Sequence, residues 1–320
     1  MLISLMVAAV LFLMVVYCVY LYAFGRSKPG ATYSEPPGQQ FKLYAEQIKT
    51  RADAMKSLPA ENVTIQSRDG LILAASYYHL RDGAPLAIFF HGYRSTGIRD
   101  FCGGFYFYRD EGFNILLVDQ RGNGRSEGKA ITFGIRERWD CLDWANYAAQ
   151  RWPETPIVLL GISMGASTVL MASDLPLPGQ VKGILGDCGF SAPKDILCSV
   201  AASQGLPRGL SYFLLKLGAR LFGDFDLDEI TAAEALSRAK LPVILIHGED
   251  DEYVPCEMSV KCFDACGSPV QLLTVPKAEH GMSFFVDQDG YAEAVSQFCK
   301  DILAGNPMEQ KVRLPDHIQR

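Results

Sequence analysis

The sequence predicts an α/β fold: a mostly parallel sheet of eight strands, covered by helices on both faces and preceded by one N-terminal transmembrane helix. Three observations predict it. Leu86–Phe90, Ile115–Val118, Ile157–Leu160, Val181–Leu185, Val243–Ile246 and Val270–Val275 are short, continuous apolar runs, as strands buried on both faces require. Helix-length stretches separate them, and that alternation is the pattern of a doubly wound sheet. Gly161-Ile162-Ser163-Met164-Gly165 follows one of the runs directly, where a strand gives way to a helix.

Residues 2–24 are almost wholly apolar and carry no charge. At about 1.5 Å per residue they are long enough to cross a hydrocarbon core of about 30 Å. A cleavable signal peptide would start with basic residues and have a shorter apolar stretch, so residues 1–24 are expected to be a retained anchor. Tyr17, Tyr20 and Tyr22 lie toward its carboxyl end, where interfacial aromatics belong. Residues 25–60 divide into a linker rich in Pro, Gly and Ser (25–40) and the stretch Phe41–Leu58, in which Leu43, Ile48 and Met55 have helical spacing. This helix either lies on the membrane surface or packs on the domain.

The main domain is expected over residues 61–305. Val63–Gln66 and Leu71–Tyr78 form a hairpin around Arg68-Asp69-Gly70. Helices are expected at Ile135–Gln150, Met164–Ala172, Glu257–Ala265 and Tyr291–Leu303. Residues 191–240 are too long for one crossover. Residues 306–320 form a polar tail.

Charge and composition exclude several classes. The chain has 30 basic and 36 acidic residues, a net charge of −6, and no basic patch interleaved with aromatics, so nucleic acid is not an expected partner. It has no phosphate-cradling G-x-x-x-x-G-K-[ST] and no G-x-G-x-x-G after a strand, and no cofactor is implied. Cys18 lies in the apolar stretch, and eight further cysteines are scattered without disulfide-like spacing, as suits a reducing compartment. Arg26 and Lys28 follow the apolar stretch and no basic residue precedes it, which places the domain on the cytoplasmic side. The sequon Asn62-Val63-Thr64 is too short a pattern to weigh against that.

The chemistry centres on Ser163. In a nucleophile elbow the serine occupies a strained turn, and flanking glycines relieve the crowding. A serine hydroxyl needs a base, and the base needs an orienting carboxylate. Of the five histidines, His280 stands on a loop just past the run Val270–Val275, from which it can reach back over the elbow. His91 and His247 each precede a glycine at the end of an apolar run and suit strand-end hydrogen bonding. His79 lies upstream of the core sheet, and His317 is in the tail. None has the spacing of a zinc site, so no metal is expected. The acid falls in Glu249-Asp250-Asp251-Glu252. Asp251, just before Val254-Pro255, is favoured over Asp250, and Asp187 is a further rival with a structural alternative in the turn Gly186–Gly189. The oxyanion donors are expected from the amide of Met164 and from the amide of Tyr93, which follows Gly92 in the loop after the third strand.

Asp69-Gly70, His91-Gly92-Tyr93, Asp119–Gly128, Gly161–Gly165, His247–Asp251 and His280-Gly281 together resemble the α/β-hydrolase superfamily, most closely its membrane-tethered Bem46-like and serine-aminopeptidase-like (S33-type) members. The resemblance runs from about Glu61 to about Ala304. It implies the α/β-hydrolase fold, and it makes residues 191–240 a small helical cap over the site, the alternative being ordinary helix faces packed on the core. The Asp119–Gly128 loop reads as structural, with Arg121 and Arg125 paired to nearby carboxylates. The expected activity is that of a membrane-anchored serine hydrolase acting on a carboxylic ester or thioester of an apolar, lipid-like acyl group. Two alternatives stand beside it. One is a peptidase of aminopeptidase type, which would need an acidic pocket supplied by Glu249, Glu252 or Asp224–Glu229. The other is a catalytically silent membrane-bound binding protein on the same fold.

Overall fold

Strand β3 (Leu86–Phe90) is buried along its whole length and serves two apolar layers. Leu86, Ile88 and Phe90 belong to one layer, Ala87 and Phe89 to the other. This two-faced burial is why its run is continuous rather than alternating. It is flanked by β4 (Asn114–Asp119) and β5 (Ile157–Ile162), both parallel to it. Beyond β5 follow β6 (Val181–Asp187), β7 (Val243–Gly248) and β8 (Val270–Val275), again parallel. On the other side, β2 (Ile72–Tyr78) joins β4 antiparallel, and β1 (Glu61–Gln66) joins β2 through the expected hairpin, with Gly70 at φ +89° in its turn.

The computed structural model describes residues 2–27 and 38–315. Most of the expected linker, Lys28 included, lies outside the described residues, as do Met1 and the end of the expected tail with His317. Within them the sheet has nine strands, in the order β1-β2-β4-β3-β5-β6-β7-β8-β9. The ninth, β9 (Lys311–Arg313), corrects the reading of residues 306–320 as tail alone. It pairs in parallel with β8 through its backbone, while Lys311 and Arg313 stay exposed.

The helices are α1 (Leu2–Phe24), α2 (Gln40–Lys56), α3 (Gly97–Phe101), α4 (Phe105–Asp110), α5 (Glu137–Arg151), α6 (Met164–Met171), α7 (Pro193–Ser203), α8 (Arg208–Gly218), α9 (Ala232–Ser237), α10 (Glu257–Ala265), α11 (Ser283–Val286) and α12 (Gln288–Ala304). A π-helical turn, Ala219–Gly223, follows α8. The insertion 191–240 is thus helical, as expected. Its last helix, α9, packs on α6 and α10 as part of the sheet's covering layer, so the part of the insertion that reaches the site is α7 and α8.

The two N-terminal helices are part of the domain's packing. Helix α1 is exposed over most of its length, but Val16, Tyr20, Ala23 and Phe24 are buried against α8, the π turn and the core. The Phe24 ring meets Phe133 and Phe225 edge-on, at 5.8 and 5.3 Å between centroids. Truncating so buried a ring costs about 3–5 kcal/mol. Helix α2 packs one face on the domain. Ile48, Ala52 and Met55 are buried, Ile48 and Ala52 beside Cys102 and Met282, while Leu43 faces outward.

The Asp119–Gly128 loop is structural. The Arg121 guanidinium donates to Asp140 at 2.5 and 2.6 Å and to Asp69 at 2.9 Å, joining α5, the hairpin turn and the loop, and Arg125 donates to Asp119 at 2.8 Å.

Candidate active site

The chain runs from β3 outward to β4, then returns to the other side of β3 as β5. Loops leaving the carboxyl ends of β3 and β5 therefore diverge and open a crevice, the usual ligand position in such sheets. Phe90 and Gly161 are register partners, so the loop starting at His91 and the turn at Ser163 emerge side by side.

Ser163 has φ +56° and ψ −119°, a strained conformation for a residue with a side chain. Space compels the glycines around it. A Cβ on Gly161 would lie 2.1 Å from the Gly165 carbonyl oxygen, and one on Gly165 would lie 1.9 Å from that of Phe90. The Ser163 amide donates to the Asp187 carbonyl at 2.8 Å, which fixes the turn to β6.

Ser163, His280 and Asp251 are brought together in one hydrogen-bonded line. Ser163 Oγ lies 3.0 Å from His280 Nε2, and His280 Nδ1 lies 2.7 Å from Asp251 Oδ2. The other Asp251 oxygen accepts from the amides of Tyr253 and Val254, so the carboxylate is held by its own loop. Asp250 is exposed, and Asp187 is buried at the end of β6 without reaching the imidazole nitrogens. An anionic acceptor at Nδ1 leaves Nε2 free to take a proton from the serine. Burial pulls His280 down, but the adjacent Asp251 carboxylate outweighs it, and the imidazole is held above its ordinary 6.5. For Asp251 burial pushes upward, and the His280 and His247 imidazoles overcome it, holding the carboxyl well below the usual carboxylate range.

His91 and His247 have the strand-end roles expected of them, with one addition. His91 Nε2 accepts from the Gln120 amide at 3.1 Å, so Nδ1 carries the proton donated to the Gly92 carbonyl at 2.7 Å. His247 Nε2 donates to the Val254 carbonyl at 2.7 Å, and it also lies 3.2 Å from Asp251 Oδ2. It therefore supports the carboxylate from beneath, a contact that its place in the sequence does not reveal.

The amide of Met164 is the first of α6 and has no acceptor within that helix. Gly92 brings the loop after β3 close: a Cβ there would lie 3.3 Å from the Ser163 Cβ. Two features that sequence reasoning missed hold this loop. Asp100 accepts from the Gly92 amide at 2.7 Å and from Ser95 Oγ at 2.5 Å, and no motif marks it. Tyr93 Oη donates to the Ala23 carbonyl at 2.7 Å, and Arg94 donates to the Tyr22 and Gly25 carbonyls at 2.8 and 3.1 Å. These three bonds tie the loop to the end of α1.

Ser163 and His280 border a cavity of about 620 Å³, large enough for an acyl group. Its walls are Val19 and Tyr22 of α1, Phe41 of α2, and Leu197, Leu210 and Leu214 of α7 and α8. Cys188, Asp251 and His280 offer three potential metal-ligand atoms within 4.8 Å of one another. The set does not fit a cation well. Burial pushes the Cys188 thiol far up, so it stays protonated, and the imidazole and carboxylate already bond each other.

Residues 85–195 match the family described as serine aminopeptidase, S33. The Pyrococcus furiosus esterase Pf2001 has a similar structure, with a TM-score of 0.64 at 20% identity over 87% of this chain and 98% of the esterase. The chain has the α/β-hydrolase fold. Among its relatives, bem46 of Schizosaccharomyces pombe is 25% identical over 248 residues, 75% of this chain and 77% of bem46. The uncharacterized protein YqkD of Bacillus subtilis is 24% identical over 199 residues, 62% of this chain and 65% of YqkD, so the chain spans just under two thirds of that relative. The chain is similar in fold to the Pf2001 esterase. Its N-terminal apolar helix, Leu2–Phe24, is long and apolar enough to cross a membrane.

Proposed function

We propose that this protein is a membrane-anchored serine esterase or thioesterase acting on an apolar acyl group. The observation that carries the reading is the line Ser163–His280–Asp251 at the edge of a largely apolar cavity. Ser163 Oγ attacks the acyl carbonyl while its proton passes to His280 Nε2. The amides of Met164 and Tyr93 receive the oxyanion. Collapse breaks the bond from the acyl carbon to the leaving oxygen or sulfur, which takes the proton from His280. Water then gives a proton to the same imidazole as it attacks the acyl carbon; the bond from that carbon to Ser163 Oγ breaks, Oγ takes the proton back from His280, and the acid is released. Asp251 keeps the imidazole oriented and balances its charge.

Two observations favour this over a peptidase. Glu249, Glu252 and Asp224–Glu229, the acids that could bind a substrate amine, do not line the cavity among the described residues. Asp100 does line it, but its oxygens are taken by Gly92 and Ser95, with Arg99 at 3.6 Å. A retained anchor is favoured over a cleaved leader because Phe24 is fully buried and the carbonyls of Tyr22, Ala23 and Gly25 accept from the site loop. On the positive-inside reading the domain faces the cytoplasm.

The test is fluorophosphonate labelling of wild type and Ser163→Ala in intact membranes, with acyl esters, acyl thioesters and aminoacyl amides as substrates. Labelling and acyl hydrolysis by wild type alone are expected, with at least about a 10⁴-fold loss in Ser163→Ala. Turnover of the amides instead would replace the reading with the peptidase. No labelling of either protein would favour the silent binding protein.

A further inference from the structure

Helix α8 presents the wrong side to water. Leu210 and Phe213 are more than half exposed, as are Leu206 just before the helix and Leu221 in the π turn. Its polar groups are paired within the same segment: Tyr212 and Lys216 donate to Asp228, and Arg220 of the π turn donates to Asp226. A helix on an aqueous surface turns its charges outward and its leucines inward.

The contact with α1 fixes where this helix lies. Gly218 packs directly on it, so that a Cβ there would lie 2.9 Å from the Tyr20 Cβ and 3.3 Å from the Val16 carbonyl oxygen. The Phe222 ring meets Tyr17 at 4.9 Å. Val16 is eight residues before Phe24, about 12 Å along the helix axis. The 23 residues of α1 rise about 34 Å, against a hydrocarbon core of about 30 Å. A group that touches Val16 and Tyr17 therefore shares the lipid depth of those residues, which matches the 5–10 Å burial of an interfacial helix. Val19 and Tyr22 of α1 and Leu210 and Leu214 of α8 also face the cavity.

We propose that α8 and the π turn form a membrane-docking surface seated in the leaflet at the carboxyl end of α1. They hold the cavity mouth against the lipid acyl chains, and the substrate is an ester or thioester whose acyl chain already lies in that leaflet. The proposal rests on reading α1 as a membrane span and Ser163 as the nucleophile.

The full-length protein in phosphatidylcholine vesicles tests it with two readouts. The first is fluorescence of Phe213→Trp, corrected for wild type, in vesicles of chain-brominated phosphatidylcholine. The new indole should be quenched at least two-fold; emission unaffected by bromine puts α8 in water and overturns the proposal. The second compares Phe213→Glu/Leu221→Glu with wild type on a short water-soluble ester and on a long-chain ester dissolved in the vesicles. Soluble-ester turnover should stay within two-fold while bilayer-ester turnover falls ten-fold or more. Equal retention of both overturns the docking role. A wild type idle on both esters would instead sink the hydrolase reading, and quenching alone would then decide the docking.

Discussion

Tyr93 Oη donates to the main-chain carbonyl of Ala23 at 2.7 Å, across a sequence separation of 70 residues. The residue whose amide we propose as an oxyanion donor is thereby bonded, through its phenol, to the end of the apolar helix. Burial raises the phenol far above its ordinary value, so it remains a donor at any working pH. Tyr93→Phe keeps the ring against Phe133 and removes only this bond. A neutral hydrogen bond of this kind is worth about 0.5–1.5 kcal/mol net. The expected result is a drop in kcat of up to about ten-fold with KM little changed; an unchanged kcat would show that the loop does not need the tie.

The two kinds of glycine at the site predict opposite tolerance. Gly165→Ala drives a methyl group into the Phe90 and His91 carbonyls, at 1.9 and 2.7 Å, and should cost more than about 3 kcal/mol or abolish folding. Gly281, at φ +69°, has nothing within 4 Å of where a Cβ would go. Gly281→Ala should cost only the left-handed backbone preference, about 1–2 kcal/mol. Thermal unfolding of the two variants side by side distinguishes them.

The pH profile follows from His280. The base must be neutral to accept the serine proton, so activity rises with pH through its pKa. Because Asp251 holds that pKa above 6.5, the acid limb of kcat/KM should lie above the ordinary imidazole range. Asp251→Asn should move the limb down and reduce kcat by about 10³–10⁴-fold. A limb that stays in place would mean another group sets it.

Asp187, buried beneath the site, gives a separate stability signature. Burial pushes its carboxyl up to about 6, against the pull of His247. A folded pKa above the ordinary 3.8 means that the folded chain binds the proton more tightly. That stabilisation is complete below about pH 4 and is lost as pH rises through about 6, amounting to about 3 kcal/mol. Asp187→Asn should flatten stability across this window, as equilibrium unfolding at several pH values would reveal.

The parts of the molecule most legible in sequence are those whose burial or bonding is local. Glu257–Ala265 begins and ends where its apolar spacing predicts, and the six core runs are all strands. Ser163, Asp251 and His280 stand out because each follows such a run by a few residues. Helices α3 and α4 were not legible: Phe101, Phe105 and Tyr108 are packed by neighbours from elsewhere and show no clear helical period. Strand β9 hides for another reason, because it is held by backbone pairing while its side chains are half-buried or exposed. Asp100 and the Tyr93–Ala23 bond depend on which loops meet in space, and no local pattern encodes that.

The bonds between Gln40 and Glu279 have a consequence for how the chain folds. Glu279 accepts from the Gln40 amide at 3.0 Å, and Gln40 Oε1 accepts from the Glu279 amide at 2.9 Å, which clips the His280 loop to the first turn of α2, 239 residues away. Contacts so distant in sequence close late, because the intervening chain must be ordered first. On the ribosome, the start of α2 waits through the synthesis of nearly the whole domain for its partner. His280, beside Glu279, is therefore placed only at the end, so a nascent or half-folded chain holds Ser163 without its histidine partner until folding is finished.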